Sequence, residues 1–268
     1  MSAGSLPFVK VEGLGNDFLL IDLRHSTLAV ERFGERAPAL CDRRLGVGGD
    51  GILLVAPPRT AGASGTMIVV NHDGSRPEMC GNGLRCVALF LAGPNPEVLV
   101  DTDAGPRACW ILERTADGQS GEVEVDMGPA LHLGHHPIAG HDFLAFSLGN
   151  PHAVTFVSPQ EDPEQLAREL GPRIERDPRF PGRTNVEFAR LEADGSVTLW
   201  VWERGCGITA ACGTGACATV AAAAHQGLVQ ADATVRVQLP GGPLYLRLAG
   251  DRVYMTGPAR QVFHGTLP

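Results

Sequence analysis

Short apolar runs separated by glycine, proline and acidic turns make up most of this chain. Phe8–Val11, Phe18–Asp22, Ile52–Val55, Met67–Val70, Val98–Val100 and Ala108–Leu112 predict strands in the first half. Glu122–Asp126 alternates acid with valine, the pattern of a strand with one face in water. The second half repeats the style at Leu144–Leu148, Ala153–Val157, Val186–Ala189, Val197–Val201, Thr234–Leu239, Leu244–Leu248 and Arg252–Met255. Helices are fewer. Leu28–Arg43 is helix-like but interrupted by Gly34 and Pro38. Asp162-Pro163 supplies a cap and a first-turn proline for Glu164–Leu170, which Gly171-Pro172 closes. Leu84–Leu91 and Ala216–Ala224 are apolar nearly all round, so each predicts a buried helix. Asn82 and Thr214 are their expected caps, and Gly93-Pro94 and Gly227 their expected stops.

The polar positions between these runs repeat. Gly15-Asn16 precedes Gly149-Asn150 by 134 positions, and Asp50 precedes Asn185 by 135. Asn71 precedes Glu203, and Cys80 precedes Cys212, by 132. Four landmarks at one period predict a tandem duplication: two pseudo-symmetric α+β domains, each a buried helix wrapped by strands. The boundary is expected in Met127–Leu133, at Gly128-Pro129, giving domains 1–128 and 129–256. A tail at about 257–268 is expected to pack on the first domain.

The bulk numbers narrow the function. The 268 residues carry a net charge of −8 with scattered arginines, which argues against a nucleic-acid partner. No apolar stretch reaches transmembrane length, and Met1–Pro7 lacks the basic and apolar regions of a leader. A cytoplasmic protein is the expectation. Seven cysteines, an odd number without a C-x2-C pair, predict neither a disulfide framework nor a zinc knuckle. Cys41, Cys86, Cys109 and Cys217 read as buried hydrophobes, Cys206 less clearly. Lys10 is the only lysine and lies in a strand-like run, a poor position for a pyridoxal Schiff base.

Cys80 and Cys212 carry the chemistry. Each lies in a Cys-Gly-x-Gly loop that opens a small-residue helix. A helix N-terminus favours a thiolate, with cysteine pKa values of roughly 3.5–7.5 at such sites. Its free N–H groups also hold carboxylates. Two such thiols, facing one pocket, suit a reaction in which one removes a proton from carbon and the other returns one. Asn16, Asn71, Asn150 and Asn185 with Glu203 and Arg204 suit a zwitterion carrying several ammonium and carboxylate groups. Gly46-x-Gly48-x-x-Gly51 matches a dinucleotide fingerprint but runs into a strand, which is the wrong context. His132, His135, His136 and His141 are expected in a solvated loop rather than around a metal.

These segments resemble the diaminopimelate epimerase family over essentially the whole length. The resemblance rests on Gly13-Leu14-Gly15-Asn16-Asp17-Phe18, Asn71-x-Asp73-Gly74, Cys80-Gly81-Asn82-Gly83-x-Arg85-Cys86, Gly149-Asn150-Pro151-His152, Asn185, Glu203-Arg204-Gly205 and Ala211-Cys212-Gly213-Thr214-Gly215-Ala216. It implies two pseudo-symmetric domains, each a strand barrel around a central helix. It implies conversion of LL-2,6-diaminopimelate to the meso form, on the route to lysine and peptidoglycan. No cofactor and no metal are implied. Cys80 corresponds to the proton donor and Cys212 to the acceptor, assisted by His152 and Glu203. Substrate contacts correspond to Asn16, Asn71, Gly81, Asn82, Asn150, Asn185, Glu203, Arg204, Gly213 and Thr214. A homodimer is implied. Gly51, Ile208 and Phe263 depart from a glutamine contact, a glutamate and a dimer-forming tyrosine that some members carry. Two other readings remain: a proline or hydroxyproline racemase of the same superfamily, and a dithiol redox or binding protein.

Overall fold

The computed structural model describes residues 6–230 and 232–267. The leader reading of Met1–Pro7 therefore falls mostly outside the described residues. The chain divides into two compact units. One runs up to Val125 and takes in the segment from Gly257; the other is Asp126–Thr256.

In chain order the first unit contains β1 (Leu6–Gly13), β2 (Asn16–Asp22), α1 (Arg32–Leu40), β3 (Gly51–Ala56), β4 (Gly65–Asn71), α2 (Gly81–Leu91), β5 (Glu97–Asp101), β6 (Arg107–Arg114) and most of β7 (Ser120–Pro129). The second contains β8 (Leu131–Ile138), β9 (His141–Ser147), β10 (Pro151–Phe156), α3 (Pro163–Ile174), β11 (Asn185–Leu191), β12 (Val197–Glu203), β13 (Gly207–Ile208), α4 (Gly213–His225), β14 (Thr234–Leu239) and β15 (Gly242–Ala249). The last strand, β16 (Arg252–Leu267), begins in the second unit and ends in the first.

Both units follow one topology. In the first, the end of β16 pairs with β1, and the order continues β2 to β7. β7 returns to β16, where the Gln261 N–H donates to the Gln119 carbonyl, so the eight strands close into a barrel. In the second, the order is β8, β9, β10, β11, β12, β14, β15 and the start of β16. The parallel pairs fall at matching places: β2 with β3 and β4 with β5, β10 with β11 and β12 with β14. In the first unit α2 lies against β1 to β6, and in the second α4 lies against β9, β10, β11 and β15. Nine of the eleven α2 residues are buried, Leu84, Arg85 and Leu89 among them, as are the first eleven of α4, most of them small, so a central helix fills the core of each unit.

Strand register refines the repeat. Phe18 pairs with Gly51 in the first unit, and His152 with Asn185 in the second. The counterpart of Asn185 is therefore Gly51 rather than Asp50, and the offset matches the 134 of the Gly-Asn pair. A Cβ on Gly51 would lie 2.6 Å from the Val70 carbonyl oxygen, so no side chain fits there on this backbone.

Several elements differ from expectation. The histidines at 132, 135, 136 and 141 lie on β8 and β9, not in a loop. There the His132 ring stacks 4.2 Å from His225 and 5.1 Å from Phe146. β8 was hidden because it is mostly exposed, contains Gly134 and Pro137, and breaks its alternation with a bulge near His132. α3 runs through Gly171-Pro172 to Ile174. Gly171 is placed by packing, since a Cβ there would lie 2.5 Å from Trp202. α1 is confined to Arg32–Leu40, burying Phe33 and Ala37, and β16 extends twelve residues beyond Met255. No helix among the described residues is long and apolar enough to cross a membrane.

Lys10 is buried on β1, where it donates to the Gly48 carbonyl and pairs with Asp17 Oδ2 at 2.5 Å. Burial pushes the Asp17 carboxyl up, but hydrogen bonds and charge from Arg43 and Lys10 outweigh it and hold the group below its ordinary value. The Asp17 contribution to stability is therefore complete above the unfolded carboxylate value and lost as pH falls through the lower folded one. Asp17→Asn is expected to cost roughly 3 kcal/mol, because it strands a buried ammonium. Urea unfolding at pH 7 checks this, and the gap to wild type should narrow below about pH 4.

Candidate active site

In the first unit a two-residue hairpin, Leu14 (φ 59°) and Gly15 (φ 78°), turns β1 into β2 and sets Asn16 at the start of β2. Asn16 there makes three side-chain contacts. Its Nδ2 donates to Asp50 Oδ2 at 2.7 Å, and its Oδ1 accepts from Asn82 Nδ2 at 3.2 Å and from the Cys80 thiol at 4.0 Å. Asp50 also accepts the Asp17 N–H and faces Arg43 at 2.7 Å. Arg85, fully buried in α2, reaches Asn82 Oδ1 and the Pro258 carbonyl at 3.1 Å each, tying the helix to the end of the chain. Asn71, the last residue of β4, donates to Ser75 Oγ at 2.9 Å.

The second unit repeats the frame with different chemistry. Asn150 precedes β10 and donates to Thr214 Oγ1 at 3.2 Å, the counterpart of the Asn16–Asn82 contact. Its Oδ1 meets His152 Nε2 at 2.9 Å, and His152 Nδ1 meets Glu187 Oε1 at 2.7 Å. Both side chains of that pair are fully buried. Asn185 donates to the Pro151 carbonyl and accepts the Arg204 N–H, each at 2.9 Å. It thus holds the turn after β12 rather than presenting a free amide. Glu203 accepts from the Thr209 hydroxyl, and the Arg204 guanidinium donates to the Gly182 carbonyl at 3.2 Å.

The cysteines themselves cap the two helices, in place of the expected Asn82 and Thr214. Cys80 and Cys212 have extended backbones, and each Sγ accepts an N–H at 3.4 Å, from Gly83 and Gly215. Asn82 and Thr214 stand two residues further in, as the second helical residues, after Gly81 and Gly213. The capping geometry aims the free N–H groups of the first turn at sulfur, which is how a helix start holds a thiolate.

The expected depression of the thiol pKa is reversed at Cys212. Burial, then the charges of Glu203 and Glu187, push it well above its ordinary value, against the hydrogen bonds of Gly215 and Thr214. Glu203 is itself raised, by burial first, while Thr209, His152 and a hydrogen bond with Cys212 pull it down. The helix terminus loses here because two acids and a dry environment together exceed a half-charge. Burial also pushes Cys86 up to about 12 and Cys41 to about 11, in keeping with inert core thiols. Cys206 is exposed.

Two site residues escaped the sequence reading. Glu187 lies in the apolar run Val186–Ala189, where a lone acid two positions from Asn185 shares its face of the strand. That acid in a buried run was the available signal. Glu175, 3% exposed, accepts from Trp202 Nε1 and the Gly205 N–H and so anchors the Glu203–Gly205 turn; nothing local marks it.

The family model described as diaminopimelate epimerase matches residues 8–133 and 144–262. A diaminopimelate epimerase of Microcystis aeruginosa is 43% identical, covering 98% of this chain and 99% of its own. One from Desulfitobacterium hafniense is 44% identical, covering 98% of each. A hydroxyproline epimerase structure from Agrobacterium vitis superposes with a TM-score of 0.70 at 17% identity, covering 98% of this chain and 91% of that one, a likeness of fold.

Proposed function

The chain belongs to the diaminopimelate epimerase family, and on that premise we propose that Cys80 and Cys212 are the two proton-transfer groups of a cofactor-independent epimerisation of LL-2,6-diaminopimelate to the meso form. The observation that carries the assignment is the duplicated cap: each cysteine alone occupies the N-cap of its unit's buried helix and accepts an N–H at 3.4 Å. Inverting a carbon needs an acid and a base on opposite faces, and each unit supplies one thiol. Epimerisation runs both ways, so each thiol serves as base in one direction and acid in the other. An α-proton is a very weak acid, so the high proton affinity of Cys212 makes its thiolate an effective acceptor. Glu203, hydrogen-bonded to Cys212, is the group in place to exchange a proton with it.

The backbone N–H groups around Gly81 and Gly213, with Asn82 and Thr214, suit the substrate's reacting carboxylate. Asn16, Asn71, Asn150, Asn185, Glu203 and Arg204 frame the rest of the ligand, Asn185 by holding the Arg204 backbone. Charge stabilisation comes from helix termini and excluded water. A cytoplasmic setting is part of the proposal, since a reaction by two thiols needs a compartment that keeps them reduced. A homodimer is part of the proposal, with Val262 and Phe263 exposed as apolar surface.

Incubation with LL-diaminopimelate in deuterated water tests the reading. The expected product is the meso isomer carrying deuterium at one α-carbon. Absence of meso product, or efficient racemisation of proline instead, would transfer the case to the racemase reading.

A further inference from the structure

The two capping cysteines stand on different floors. A Cβ on Gly83 would lie 2.8 Å from Leu53 Cδ2 and 3.5 Å from Cys80 Sγ. A Cβ on Gly215 would lie 2.9 Å from Glu187 Oε1 and 3.1 Å from Cys212 Sγ. Leu53 and Glu187 are counterparts, each the third residue of its strand. Phe18 and His152 are counterparts too, by their parallel pairing to Gly51 and Asn185. All four are buried. The duplicated fold thus fills these two counterpart positions with hydrocarbons, Leu53 and Phe18, in the first unit, and with an acid and an imidazole, Glu187 and His152, in the second. Packing does not require the acid. Glu187 Oε2 is even buried without a hydrogen bond among the described residues.

We propose that Glu187 is a positioning residue for Cys212: it holds His152 and packs against the first turn of α4, so that Cys212 alone works above an internal pair that carries a proton. The proposal rests on the reading of Cys212 as a proton-transfer group. A continuous circuit of hydrogen bonds supports it. Glu187 Oε1 meets His152 Nδ1 at 2.7 Å, His152 Nε2 meets Asn150 Oδ1 at 2.9 Å, Asn150 Nδ2 donates to Thr214 Oγ1 at 3.2 Å, and Thr214 Oγ1 lies 3.7 Å from Cys212 Sγ.

The donors and acceptors fix its direction. Asn150 Oδ1 can only accept, so His152 Nε2 is the donor there, and the Glu187–His152 contact then holds a proton of its own, as carboxylate with imidazolium or as carboxylic acid with imidazole. Asn150 must then turn its NH2 to Thr214, whose hydroxyl proton is left for the sulfur. Removing the acid frees the ring to change tautomer and the amide to turn over, and the sulfur loses its donor. The ionisable groups acting on Cys212 are Glu203 from β12 and Glu187 from β11, and His152 from β10 acts on both acids. Burial first, then Glu203 and Glu187, raise the thiol, and burial raises Glu187 itself against the pull of His152.

The test uses the full-length enzyme carrying Glu187→Gln, Glu187→Leu (copying Leu53) or Glu187→Asp. Turnover and KM are measured, and the cysteine Cβ signals are titrated by carbon-13 NMR, assigned with Cys80→Ser and Cys212→Ser. Glu187→Gln should lower kcat at least about ten-fold while KM stays within about three-fold of wild type. The Cys212 midpoint should rise by about one pH unit, because the thiolate loses the Thr214 hydroxyl as its donor, while that of Cys80 stays in place. Glu187→Asp should recover part of kcat. Wild-type kcat with an unmoved Cys212 midpoint would overturn the proposal. So would equal shifts at both cysteines, which mark a general loosening. Glu187→Gln keeps the shape of the side chain and decides the case whether or not Glu187→Leu folds. The thiol titration needs no substrate. Failure of the two-thiol reading would appear elsewhere, as activity in a Cys212→Ala variant.

Discussion

Cys80→Ala and Cys212→Ala are each expected to lower epimerisation by about 10²- to 10⁴-fold, the usual contribution of a positioned acid or base, while the chain stays folded. Each change removes a helix cap as well as a thiol, so a stability loss of about 1 kcal/mol is expected alongside. The two effects separate by measurement. Meso product formed from LL-diaminopimelate reports the chemistry, and urea unfolding reports the cap. Serine at either position should recover the cap, since a hydroxyl accepts the Gly83 or Gly215 N–H, and leave turnover low, since a hydroxyl is a far weaker acid than a thiol. Either alanine variant retaining more than a few per cent of turnover would end the two-thiol assignment.

Leu53→Glu is the second large effect. It writes the Glu187 side chain into the first unit without its partner, because Phe18 stands where the second unit has His152. Leu53 is fully buried under α2. A buried charge without a counter-ion costs about 3–5 kcal/mol, against an ordinary domain stability of about 5–15 kcal/mol. The sign with pH follows from burial. The new carboxyl would have its folded value raised, so its penalty is smallest below the unfolded value and grows as pH rises through it. Urea midpoints at pH 5 and pH 8 should therefore drop unequally, more at pH 8. Equal midpoints to wild type at both would mean that the space under Cys80 is wetter than its burial indicates. Adding Phe18→His to Leu53→Glu should recover part of the loss, as the pair does in the second unit.

Most of the strands were legible from apolar runs, because a buried strand needs its hydrocarbon in place before anything else. The two central helices were equally plain, since only a helix without a polar face can fill a barrel. What failed locally did so for stated reasons. β8 carries three histidines, a glycine and a proline with little burial, so no alternation marks it. α3 continued past Gly171-Pro172 because Trp202 needed the space a side chain would have taken. The caps went to the cysteines rather than to Asn82 and Thr214 because sulfur at the N-cap meets the third-residue N–H directly, while the amide and hydroxyl turn toward Asn16 and Asn150.

The amino-acid sequence by itself determined the duplication, the two Cys-Gly-x-Gly loops and the set of amides around them, since each is a matter of residue type and spacing. Tertiary structure decided which residues are equivalent, because register between parallel strands, not offset along the chain, pairs Gly51 with Asn185. It also decided that the two thiols differ. Matching Cys-Gly-x-Gly loops sit over Leu53 in one unit and over Glu187 in the other, and a thiol's proton affinity is set by the charges and dryness within a few ångströms, which no local pattern of residues records.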